Sequence, residues 1–204
     1  MVVTGNGTTL AVLCLQINRK RKGNKMEIQN VVNAFNDYQA ARAARDVAVV
    51  DLQAQYPNLV PGNNCVIAAK NIRVELRAAF PGVKFSVTSD QYSMGDSVKV
   101  RWTDGPTVNQ VEAVIGKYEY GRFDGMTDSY EYYNNSWNDA FGGTKYLFTN
   151  RELSDAMIQQ ALDGLQQQYG TMCGEPIPTV EMYKNGLFNS AWCDVVRYAL
   201  NDIK

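Results

Sequence analysis

Three aspartates, Asp104, Asp124 and Asp128, are the side chains whose type and spacing come nearest to a reactive constellation. Together they can form a carboxylate cluster for a hard cation such as magnesium. The run DGMTD lacks the alternating carboxylates and terminal glutamate of an EF-hand loop, and Asp–Gly in a turn is ordinarily only a turn. The 204 residues contain no histidine. That excludes Ser–His and Cys–His activation of a nucleophile and the His-containing zinc patterns. Cys14, Cys65, Cys173 and Cys193 stand far apart without a C-x-x-C pair, a usage that suits a reducing cytoplasm better than secretion. The expectation is a non-enzymatic protein with no metal and no cofactor.

Binding chemistry is better represented. Residues 119–143 hold five tyrosines or tryptophans and five acids against one base, Arg122. Aromatic residues dominate interface hot spots, and a negative rim selects a basic partner surface. Asp124, Asp128, Tyr130, Glu131, Tyr132, Tyr133 and Trp137 are therefore the expected protein-binding residues. The plainer reading is that Phe123, Tyr130 and Trp137 cover a sheet. A second set, Lys84, Lys99 and Arg101, falls on outward positions of two strands and reads either as a nucleic-acid patch or as a solvated face. A third, Asp104, Gly105 and Thr107, opens a helix whose free amide groups can hold an anion, as any helix start can.

The elements that must position these residues follow from periodicity. Met26 to Tyr56 is helical: Ile28, Val31, Phe35, Tyr38, Arg42, Arg45, Val49, Leu52 and Tyr56 step by threes and fours. This heptad seam serves either packing within the domain or a homodimer through residues 28–56. Pro57 ends the helix. Asn63 or Asn64 caps a second helix to about Ala79, with Val66, Ala69, Ile72, Leu76 and Phe80 as its stripe. The period then becomes two: Val83, Phe85 and Val87, and again Val98, Val100 and Trp102, face inward on two strands joined by the loop DQYSMGD. Thr103-Asp104-Gly105-Pro106 is a strand-to-helix joint leading into a helix with Val108, Val111, Val114 or Ile115, and Tyr118 inward. Residues 119–143 read as the least regular part. TKYLFT is a third strand, Thr149 or Asn150 caps a helix over 151–168, and a last helix spans about 190–202 with Trp192, Val195, Val196 and Ala199 inward. The fold class is α+β: an N-terminal helical hairpin, a small three-stranded antiparallel or mixed sheet with covering helices, and a C-terminal helix. Domain boundaries fall at 26–170 for the α+β domain and 171–204 for a linker and packed helix.

Residues 1–25 carry five basic residues and no acid. Their apolar piece precedes the charges, the reverse of an export signal. They are either a mobile basic arm or a mis-assigned start ahead of Met26. Without them the body carries 15 basic against 21 acidic residues, a balance that disfavours coating a phosphate backbone. No run approaches the 18 apolar residues of a membrane span.

The pieces FPGVKFSV, SVKVRWTDGPT, VEAVIGKY, FDGMTDSYEYYN and FGGTKYLFTNR, between Phe80 and Arg151, resemble one of the large polyvalent protein-associated domains, the twenty-ninth of that series. The resemblance implies a phage or plasmid origin and a role in protecting or establishing an incoming element; it carries no catalytic residues. With it, the expected function is inhibition of a host defence system, in the bacterial cytoplasm, by contact with a host protein of basic surface. The alternative is a nucleic-acid-binding accessory protein for incoming DNA. No membrane partner is expected.

Overall fold

The hydrophobic period changes from three-four to two near Val83, and there helix gives way to sheet. The computed structural model describes residues 24–133, 135–172, 175–186 and 190–203, with the backbone alone described at 24–29, 172, 175 and 190–194. Residues 1–23 of the basic segment lie outside that range. The chain divides into two compact units, residues 1–48 and 49–204.

Helix α1, Asn24–Gln55, crosses that division. Val31, Phe35 and Tyr38 of the expected seam are exposed. In the second unit, Val49 and Leu52 pack against the first core. Helix α2, Cys65–Ala79, starts as its sequence dictates: the Asn64 side chain accepts the amide of Ile67 at 2.9 Å. Ala69, Ile72 and Leu76 of the expected stripe are buried and Phe80 packs partly buried against the core; Val66 alone departs from it. Cys65, Ala68, Asn71 and Ile72 are buried, whereas Val66 is 43% exposed. Small residues at 68 and 69 let the neighbouring backbone approach there, and a valine at 66 has no such facing surface.

Strands β1, Ser86–Tyr92, and β2, Gly95–Thr103, pair antiparallel from Ser86↔Arg101 to Tyr92↔Gly95. The hairpin is tighter than the expected seven-residue loop, because pairing continues through Asp90 and Gln91 to a two-residue turn at Ser93–Met94. Helix α3, Val108–Ile115, carries a reciprocal capping box: Thr107 Oγ1 accepts from the Gln110 amide, and the Gln110 side chain accepts from the Thr107 amide at 3.0 Å. A 3₁₀ turn, Gly116–Tyr118, follows and sinks Tyr118 completely.

The stretch read as irregular contains a second hairpin, β3 Gly121–Asp124 with β4 Ser129–Tyr132, and a short helix, α4 Ser136–Phe141. Strand β5, Tyr146–Glu152, then pairs parallel to β2 from Ser97↔Tyr146 to Thr103↔Glu152. The main sheet is therefore mixed, in the order β1-β2-β5. The β2–β5 ladder carries the strand past Asn150, so the next helix, α5 Asp155–Tyr169, is capped by Ser154 instead of Thr149 or Asn150. The remainder comprises a short pair β6 Thr171–Met172 with β7 Glu175–Pro176, helix α6 Val180–Lys184, and helix α7 Ser190–Asp202. The Trp192 side chain lies outside the described residues.

Among the described residues two apolar cores result. The first joins α2, the inner sheet face (Val87, Val98, Val100, Trp102), α3 and α4. The second joins Ile158, Ala161, Leu162 and Leu165 of α5 to Val196 and Leu200 of α7.

Two glycines fix close approaches around α4 and the β3–β4 hairpin. Gly142 has φ +85°, and a Cβ there would run into the Asn64 carbonyl and lie 2.7 Å from the Ala68 amide nitrogen. A Cβ on Gly121 would run into the Tyr130 ring and the Glu131 carbonyl, so glycine there lets that ring lie across the hairpin.

Candidate binding surfaces

The β3–β4 hairpin is built around its own turn. Asp124 accepts the Met126 amide and the Thr127 hydroxyl, both at 2.9 Å, and Thr127 shares a proton with Ser129 at 2.7 Å. The Met126 N–H, and then the Thr127 hydroxyl, hold the Asp124 carboxyl below its usual range. Asp128 takes φ +50°, a left-handed conformation that aspartate tolerates better than most residues. Asp128 and Glu131 are exposed, with Glu131 paired across the ladder to Arg122. Phe123, Tyr132 and Tyr133 are exposed beside them, Tyr132 at 68%. The register sets Phe123 and Tyr132 on one side of the hairpin and Arg122, Asp124 and Glu131 on the other, so the element carries exposed rings and acids on opposite sides.

Tyr130 and Trp137 behave differently. Trp137 is 8% exposed; it sits in the first core against Tyr56, Tyr118 and Phe141, with the Lys117 ammonium 4.0 Å above its ring. Its ring covers the core. Tyr130 is half-buried and donates its hydroxyl to the Lys145 carbonyl at 2.6 Å. Burial, chiefly, pushes its phenol well above the tyrosine range, with Glu119 adding to the shift. Tyr130 is the centre of a ring ladder. Its neighbours are Tyr132 at 4.8 Å, Tyr146 at 5.8 Å and Tyr120 at 6.5 Å. Tyr120 stacks on Tyr132, and Tyr146 stacks on Phe148 at 6.1 Å. The Lys145 ammonium lies 4.9 Å from the Tyr130 ring centre and 5.5 Å from that of Tyr146. At the base, Asp96 accepts the Lys145 amide at 2.6 Å, the Thr144 hydroxyl at 3.2 Å and the Tyr120 hydroxyl at 3.3 Å.

The ladder runs onto the outer face of the main sheet. Strand register places Thr88, Lys99 and Phe148 in one row and Ser86, Arg101 and Asn150 in the next. All six are exposed, Phe148 at 51%. Lys99 and Arg101 therefore share a face with an exposed ring. Lys84 is exposed just before β1. The strand reading of TKYLFT located Tyr146 and Phe148 without assigning them a face. Their period-two spacing was the available signal, and their match to Lys99 needed the parallel register.

The strand-to-helix joint is internally occupied. Asp104, at φ +56°, accepts the Ser154 amide at 2.8 Å. The Gly105 carbonyl takes an Arg151 N–H at 2.8 Å, the Pro106 carbonyl takes the Trp102 indole N–H at 2.9 Å, and Thr107 belongs to the capping box. Asp104 is thus engaged away from Asp124, and among the described residues no three Asp, Glu, Cys or His side chains come close enough to hold a metal ion. The Arg151 guanidinium also donates to the carbonyls of Leu200 at 3.2 Å and Ile203 at 2.7 Å, and burial lowers its pKa while Asp104 opposes the shift.

Residues 64–154 match the family model of the large polyvalent protein associated domain 29, the family that the motifs between Phe80 and Arg151 resemble. That family is associated with the polyvalent proteins of phages and other mobile elements. No curated protein and no solved structure matches the chain. Among the described residues no helix is long and apolar enough to cross a membrane.

Proposed function

We propose that this chain is a non-enzymatic binding protein of a mobile genetic element, and that it inhibits a host defence system in the bacterial cytoplasm by capturing a host protein with a basic surface. The observation that carries the reading is the β3–β4 hairpin, which exposes the rings of Phe123, Tyr132 and Tyr133 in the same element as the acids Asp124, Asp128 and Glu131. The Tyr132 ring is held by Tyr120 and Tyr130 before any partner arrives, which lowers the ordering cost of association. A family associated with mobile elements supplies the context in which a host protein is the target.

The outer sheet face favours a second reading. Lys99 beside Phe148, with Arg101 in the next row, offers a cation and a stacking ring to a single nucleic-acid strand.

The test separates the two. The full chain is expressed in a host carrying a defence system, and phage plating efficiency is measured. Expression should raise plating, and Tyr132→Ala with Tyr133→Ala should abolish the gain while Lys99→Ala with Arg101→Ala leaves it intact. The opposite pattern overturns the protein-capture reading in favour of the strand. Tyr130→Ala is unsuitable here, because it would also remove the hydroxyl bond to the Lys145 carbonyl that ties the hairpin to the body, whereas Tyr132, though a ladder ring, is 68% exposed.

A further inference from the structure

A cleft of about 240 Å³ opens between α2 and the segment leading into β1, lined by Arg73, Arg77, Val83, Lys84 and Phe85. Arg73 and Arg77 stand one turn apart on α2, so both reach the same side of the helix. Arg77 lies in the last turn, where a cation also complements the helix dipole. That accounts for one charge and leaves the convergence of three unexplained. Among the described residues none of the three cations is ion-paired. Glu75, the acid between the two arginines in sequence, is bonded to Lys117 at 2.7 Å. One Arg73 nitrogen donates to the Val87 carbonyl, which fixes the guanidinium plane and leaves other N–H groups for a ligand. The apolar side is firm: the Phe85 ring packs 6.0 Å from Phe80 and 5.6 Å from Trp102.

Three cations around one concavity focus a positive potential into it, even on a body whose net charge is negative. Two arginine forks match the oxygens of a phosphate better than those of a halide. The volume falls below the roughly 300–1,000 Å³ of small-molecule pockets, which suits one phosphate group with the atoms beside it and not a whole cofactor. We infer that this cleft is a phosphate-binding site. The phosphate arrives either on a small molecule or as a phosphodiester of a nucleic-acid strand. In the second case Arg101, in register with Ser86, and then Lys99 continue the cationic path toward Phe148. The inference stands apart from the hairpin reading and uses none of its residues.

The full chain is titrated with inorganic phosphate, with ATP and with a fluorescent single-stranded oligonucleotide. At least one probe should bind, and Arg77→Glu with Lys84→Glu should weaken it about tenfold or more. Lys70→Glu, a single charge reversal at an exposed α2 position outside the cleft, should leave affinity within about twofold. Arg77→Gln with Lys84→Gln serves if the reversed variant does not fold. Oligonucleotide binding lost in the cleft variant, with free phosphate ineffective, assigns the strand; ATP or phosphate binding without the oligonucleotide assigns the small molecule. The inference is overturned if no probe binds up to about 1 mM, or if Lys70→Glu weakens binding as much as the cleft variant does.

Discussion

The two cores are held by different means. The first gathers α2, a sheet and α4 from distant parts of the chain, and polar side chains pin it from inside. Asn71, fully buried, accepts the Val60 amide at 2.7 Å and donates to the carbonyls of Val60 at 2.9 Å and Phe141 at 2.8 Å. The second is aliphatic and local, assembled within residues 153–203 from helices that follow one another. Its tie to the first is polar: Asp104 on Ser154, and Arg151 on the last carbonyls of α7. Helix α7 has no basic residue in its own last turn, so Arg151 supplies from β5 the cation that its C-terminus lacks. The family match ends at 154, where the second core begins. In the first region, then, hydrogen bonds specify one packing of large rings; in the second, apolar area supplies most of the cohesion and one arginine fixes the seating.

The sharpest way to break the comparison is Asn71→Ala. It strips partners from Val60 and Phe141 and leaves a void, and should cost about 3 kcal/mol by urea denaturation. An unchanged midpoint would mean that the polar pin is dispensable and the two cores are alike. Arg151→Met should cost less, about 2 kcal/mol, and act on the other side. Amide exchange in 190–202 should rise while that in 65–79 is retained; a uniform rise would show one cooperative unit. Tyr130→Phe removes a single hydrogen bond to the Lys145 carbonyl and should cost about 1 kcal/mol, with faster exchange confined to β3 and β4.

The smallest effect is a pH dependence in the first region. Burial holds the Glu119 carboxyl above its usual range, against the bond it accepts from the Leu147 amide and with help from Glu112. The folded chain therefore binds this proton more tightly than the unfolded one. This contribution to stability declines as pH rises from the unfolded value, about 4.3, through the raised folded value. Glu119→Gln should stabilise at about pH 7 and change nothing below about pH 4. Equal gains at both would assign the effect to packing.

Legibility followed the same division of forces. Val98, Val100 and Trp102 declare their buried face by period two, and Thr103–Pro106 declares a joint by its turn chemistry. The family segment was visible as ordered motifs. Asn71 was not, since an asparagine on a helix reads as surface until its three backbone partners are in place. The β3–β4 hairpin escaped because GRFD and SYEY are only four residues long, GRFD has no apolar alternation, and the Ser-Tyr-Glu-Tyr alternation of β4 is too short to separate from its tyrosine-rich surroundings. The ring ladder needed tertiary structure, joining residues 120, 130, 132, 146 and 148 through pairings that no local pattern announces. The Arg73–Arg77–Lys84 cleft was hidden for the same reason: two of its cations read as a helix's polar side until the strand segment closes over them. Trp137 was the reverse case, an aromatic among acids that the core claims.

The hairpin forms its own two-stranded sheet and joins the body at its base, through Glu119↔Thr144 and the Tyr133 amide on the Tyr120 carbonyl, and at mid-strand, through the Tyr130 hydroxyl on the Lys145 carbonyl. Residues 125–128 touch no ladder of the main sheet. This divides the element into a constant socket and a rewritable tip. The sequence of residues 125–128 can therefore change with the foundation left as it was, in the manner of a tool with exchangeable bits.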